Sequence, residues 1–212
     1  MKKFLKFGCG SVIALIVLGI IIGALSDTED TKKEEEKIET VAKDKSESTK
    51  DVKKESESTE ADLNAKDAEI YNKDIVMHLD AFQEEYDKHW ANNWVPTFEG
   101  VSNGTVDVYE AYTTLNSLEK YYNGLGNKIY NTKLPKLSKD NQKLLKAYIS
   151  DFQSAILTRS RAASEAAKMF DSGEFKPSEM DKIKSTVGYA DQELLSALVQ
   201  RTTLEQNLGL TK

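Results

Sequence analysis

Between Ala61 and Gly209 the large apolar side chains recur at intervals of three and four residues, the spacing that lines one face of an α-helix. The first stripe runs Tyr71, Ile75, Leu79, Phe82, Tyr86 and Trp90 and predicts a helix from about residue 62 to 93. Trp94-Val95-Pro96 is expected to end it, because proline lacks an amide hydrogen and crowds the preceding turn. Gly100 to Gly104 reads as a loop, with Asn103-Gly104 as its turn. A second stripe, Val108, Tyr112, Leu115, Leu118, Tyr122, Leu125 and Ile129, starts near Thr105. Gly124 and Gly126 interrupt it and predict a kink or local break, each costing helix about 1 kcal/mol.

Lys133-Leu134-Pro135 closes that helix, and Ser138 is a suitable N-cap for a third. Its apolar positions run from Leu145, Tyr148 and Phe152 to Met169 and Phe170, with alanines late in the row that favour a close helix approach. Gly173 suits the left-handed C-terminal position, and Pro177 the first turn of a fourth helix. Met180, Ile183, Val187, Leu194, Leu198 and Leu204 form the fourth stripe, which Gly209 ends. Four helices joined by short polar links predict an all-α antiparallel up-down four-helix bundle over 61–212. No alternating run supports a sheet.

Upstream the pattern changes twice. Residues 27–60 are rich in Lys, Glu, Asp, Ser and Thr, with Ile38, Val41 and Val52 their only large apolar side chains, and are expected to form a disordered stalk. Residues 7–26 carry no charge, enough at 1.5 Å per residue to cross a hydrocarbon core of about 30 Å. Ten Val, Ile or Leu side chains there supply roughly −3 to −6 kcal/mol towards insertion. Lys2, Lys3 and Lys6 precede the segment and Asp27, Glu29 and Asp30 follow it, so residues 1–6 are expected in the cytoplasm and the helical domain outside. Cleavage after Ser26 is the rival, and it leaves the export of the domain unchanged. Gly19 and Gly23 have the spacing that lets two anchors pack closely.

Cys9 is the only cysteine, so no intrachain disulfide is available and the domain depends on its core. The net charge of −6 lacks the concentrated basic face that nucleic acid requires. Arginine occurs only at 159, 161 and 201, a lysine-rich usage typical of AT-rich bacterial genomes. The order of basic start, single span, charged stalk and helical ectodomain resembles many small cell-surface proteins of Gram-positive bacteria and their prophages. That resemblance implies a single-pass membrane location and assigns no site residues.

Candidate chemistry is sparse. His78 and His89 stand about 16 Å apart along one helix, too far to share a metal ion. Gly124-Leu125-Gly126-Asn127-Lys128 lacks the preceding strand and following hydroxyl of a phosphate loop. No catalytic or cofactor motif is present, so no enzyme activity and no cofactor are expected. The aromatics Tyr86, Trp90, Trp94 and Phe98, expected to face Tyr121, Tyr122 and Tyr130 of the next helix, are the feature singled out. Trp90, Trp94, Phe98 and Tyr130 are the candidate partner-binding residues, although the same cluster also suits core packing. The sequence thus points to a tethered binding module for a protein or envelope partner. The alternative is a self-associating structural or envelope-stress protein.

Overall fold

The computed structural model describes residues 59–211, and among them there are four helical rods and no strand. The span at 7–26, with Cys9, Gly19 and Gly23, and the stalk up to residue 58 lie outside the described residues. Among the described residues no helix is long and apolar enough to cross a membrane.

The first rod starts with α1, Glu60–Ile70. Thr59 and Glu60, which the sequence reading places in the stalk, belong to this helix start. The Thr59 hydroxyl accepts from the Asp62 amide and the Asp62 carboxylate accepts from the Thr59 amide, so two end donors are satisfied at once. A π-helical turn, Tyr71–Ile75, then leads into α2, Val76–Asn103. The turn has a reason in the sequence. The inward positions Asp67, Tyr71, Ile75 and Leu79 are each four residues apart. Every four-residue step in a 3.6-residue helix overshoots a full turn by about 40°, so three steps would swing the stripe off the core. A wider turn absorbs that drift and keeps all four side chains buried.

The rod does not stop at Pro96. Helix continues to Asn103, against the expectation of an end at 94–96 and a loop from Gly100. Pro96 and Asn92, the residue whose carbonyl loses its amide partner, are both on the exposed side, while Trp94, Thr97 and Gly100 stay buried on the other. Termination falls to Gly104, whose φ of 77° lies in the left-handed region that favours glycine. The chain then folds back so closely that a Cβ on Gly100 would lie 2.3 Å from the Val106 side chain.

Asp107 caps α3, Val108–Asn131, by accepting from the Glu110 amide. The expected break at Gly124 and Gly126 is absent. Gly124 is exposed, and Gly126 is buried where α4 comes close, since a Cβ there would sit 2.8 Å from a Leu157 methyl. The Gln153 amide also donates to the Gly126 carbonyl across that contact. The Gly126 position therefore serves packing, and tertiary contact outweighs its low helix propensity.

α4, Lys139–Ser172, and α5, Pro177–Asn207, complete the set, with Gly173 left-handed and Pro177 opening α5 as the sequence indicates. Cross-helix pairs establish the directions. Phe82 meets Lys128 and His89 meets Tyr121, Gly126 meets Gln153 and Glu119 meets Ser160, Ser154 meets Glu193 and Glu165 meets Thr186, and Tyr71 meets Glu205 and Asp80 meets Arg201, so each rod runs antiparallel to its sequence neighbour and the last to the first. α4 is the most enclosed helix, with Ala155, Ala162, Ala163 and Ala166 fully buried. Ala190 and Ala197 of α5 are likewise fully buried, and the small side chains allow the close α4–α5 approach.

Candidate functional site

The aromatic cluster is largely core. Trp90 and Trp94 are 7% and 5% exposed and stack at 4.2 Å between ring centroids. Phe98 is half-buried and lies against Trp94 and, at 5.7 Å, against Phe170 of α4. Tyr121 and Tyr122 do meet the first rod: Tyr121 stacks on His89, and Tyr122 lies edge-on to Tyr86 and Trp90. Tyr130, 70% exposed, does not join them. Lys128 already pairs with Glu85 and sits over the Phe82 ring, so antiparallel register places Tyr130 further along, away from Trp94.

The residue that organises this layer is Arg159 of α4, which sequence reasoning passed over. Its guanidinium lies 3.7 Å from the centroid of Tyr86 and 4.6 Å from that of Trp90. One nitrogen donates to the Tyr86 carbonyl, which also accepts from the Tyr122 hydroxyl, and another stands 3.6 Å from Asp191 of α5. Burial pushes the Asp191 carboxyl up, and the attraction of Arg159 only partly offsets it. Burial likewise pushes the Tyr122 phenol up to about 12, against the pull of Arg159. The planar cation thus rests on two ring faces, while its ion pair with Asp191 is long. Three helices meet through this one side chain, which is 7% exposed. The signal for it in the sequence is the scarcity of arginine in a lysine-rich chain.

Arg201 of α5 forms a second cross-link. It binds Asp80 at 2.6 Å and Glu205 at 2.8 Å, and Glu205 accepts from the buried Tyr71 hydroxyl. Glu193 accepts from Ser154. The four charged residues of α5 after Ser185, namely Asp191, Glu193, Arg201 and Glu205, are all engaged with neighbouring helices. What α5 turns to solvent over the same length is uncharged: Ser185, Tyr189, Gln192, Leu195, Ser196, Val199, Thr202 and Gln206. Tyr189, Leu195 and Val199 are 55%, 61% and 62% exposed. This distribution, with the charges of α5 held against neighbouring helices and Tyr189, Leu195 and Val199 left exposed, is the candidate site.

Other surfaces offer less. The groove of about 440 Å³ between the end of α4 and the start of α5 mixes Arg161, Lys168 and Lys182 with Glu165, Glu174 and Glu179, and Lys182 is already paired with Glu165 at 3.3 Å. His78 is exposed, and among the described residues no three His, Cys, Asp or Glu side chains converge as a metal site.

No family model, no curated protein and no solved structure matches this chain.

Proposed function

We propose that the chain is a membrane-tethered extracytoplasmic interaction module of a Gram-positive bacterium or prophage, without catalytic chemistry of its own, that engages a protein partner through the outward face of α5. The observation that carries the reading is that face itself. A chain of net charge −6 keeps one helix free of charge on its solvent side from Ser185 to Gln206 while exposing Tyr189, Leu195 and Val199 there. Exposed apolar surface of this kind on an otherwise charged domain marks contact sites, and aromatic side chains are enriched in them. Tyr130 is the one member of the original aromatic set that is mainly exposed, and it offers a secondary contact. The uncharged segment at 7–26 behind three lysines supports the tether.

The test places a photoreactive residue at Leu195 of the full chain in living cells, with Ser117, exposed on α3, as the control position. A defined protein adduct from Leu195 and none from Ser117 supports the reading. No adduct from Leu195 above the control overturns it. Retention of the chain in the membrane fraction, with the C-terminal domain open to added protease once the wall is removed, tests the tether separately.

A further inference from the structure

The outward face of α5 is ordered more strictly than a general apolar patch. Ser185, Gly188, Gln192, Leu195, Val199, Thr202 and Gln206 follow one another at steps of three, four, three, four, three and four residues. That is the heptad spacing by which one helix lies along another, and it runs for about 32 Å at 1.5 Å per residue. All of these residues are exposed except the half-buried Gly188, and a Cβ at Gly188 would meet nothing within 4 Å. Gly188, Ser185 and Thr202 are small, which permits a second helix backbone to come close.

We infer that the occupant of this seam is the same seam of a second copy of the chain. The inference rests on α5 being the interaction face and names its partner. A partner selected by charge would be met by charged side chains, and this row has none. Elsewhere two copies of an acidic chain repel, whereas the row itself carries no charge, and the Asp151 carboxylate of α4 at its edge is taken up by the Ser196 hydroxyl. The seam is also self-matching. Leu195 stands at its middle with Val199 one turn on, and uncharged polar residues occupy both ends, so a two-fold axis near Leu195 sets Leu195 against its own copy and Val199 against the uncharged Gln192. One helix pair is smaller than the roughly 800 Å² per partner of a standard interface, so the pairing is weak between free molecules. Anchoring both copies in one membrane through residues 7–26 raises their effective concentration and makes it sufficient.

The test uses the full chain in its membrane. Cys9 is the sole cysteine, so Cys9→Ser gives a thiol-free background. In that background Leu195→Cys is expected to give a disulfide-linked dimer under mild oxidation, and Ser117→Cys to remain monomeric. Adding Val199→Lys to the Leu195→Cys chain is expected to cut the dimer yield by about tenfold or more, because pairing would press each lysine charge against the uncharged row of the other copy with no carboxylate of that row to receive it. Val199 is exposed, so folding tolerates the change, and an unaltered thermal melt checks this. Dimer from Leu195→Cys no greater than from Ser117→Cys, or a yield insensitive to Val199→Lys, overturns the inference. Crosslinking of Leu195 to a different protein also overturns self-pairing, yet leaves the interaction reading standing. Absence of any adduct removes both.

Discussion

The Asp67 carboxylate of α1 accepts the backbone amide of Ser138, at 2.9 and 3.1 Å to its two oxygens, at the start of a helix that begins 71 residues later in the chain. Ser138 occupies the N-cap position but makes no capping hydrogen bond with its own side chain. An anion buried at the positive end of α4 takes up that role from another helix. Asn141 donates to the same carboxylate and to Asn64, and accepts from Asn207 at the end of α5. One end of the bundle is therefore held by a polar cluster that links its first, third and fourth rods.

Replacing Asp67 by Ala is expected to destabilise the domain by roughly 2 to 3 kcal/mol, since it removes hydrogen bonds to a charged group and leaves buried donors unpaired. Urea unfolding of the two chains measures this. A difference under about 0.5 kcal/mol would show that the cluster does not hold the end together.

Arg159 should not tolerate lysine. If its stacking on Tyr86 and Trp90 matters more than its charge, Arg159→Lys costs about 1 to 2 kcal/mol despite keeping the cation. Arg159→Leu then costs no more than the lysine variant. A silent lysine variant beside a damaging leucine one would place the hold in the ion pair with Asp191.

Two surface positions should yield stability. Gly124 is exposed inside continuous helix with nothing near its would-be Cβ, so Gly124→Ala is expected to add about 0.4 to 1 kcal/mol. Pro96→Ala restores an amide facing the Asn92 carbonyl and should also raise the melting temperature. A fall in melting temperature for Pro96→Ala would mean that the proline ring itself supports the packing of Trp94 and Thr97.

Phe82→Ala and Leu115→Ala remove buried side chains from the hydrophobic core and should each cost about 2 to 5 kcal/mol. Calorimetry on the purified chain is the check. A loss under about 0.5 kcal/mol at either site is incompatible with the packing described.

His89 gives the domain a pH dependence. Burial against Tyr121, and then the nearby Lys88 charge, lower its pKa below 6.5, outweighing Glu85. The folded state thus takes up its proton less readily than the unfolded one. Above pH 6.5 the residue is neutral in both and contributes nothing, and as pH falls below 6.5 stability is lost down to the folded pKa. His89→Phe keeps a ring on Tyr121 without the titration, so its stability curve should be flatter than the parent's just below pH 6.5. Parallel curves would assign the acid loss to other groups.

The apolar spacing in the sequence carries the helical class, the number of rods, and the glycine and proline signals at Gly173, Pro177 and Gly209, because these depend on the period of the chain and on local backbone chemistry. It misplaces the ends at Pro96 and Gly124–Gly126, where propensity predicts a break and packing against other helices overrides it. Tertiary structure alone decides which aromatics are available: Trp90 and Trp94 sit on the same helix as many exposed residues, and the approach of other helices, α3 and α4 at Trp90, buries them. It alone brings Asp67 to Ser138 and Arg159 to Tyr86, since those partners are 71 and 73 residues apart. The heptad row on α5 stands in the sequence, but a second stripe on the same helix competes with it. Only the assembled bundle decides between them, because burying Ala190, Ala197 and the engaged charges turns Leu195 and Val199 outward.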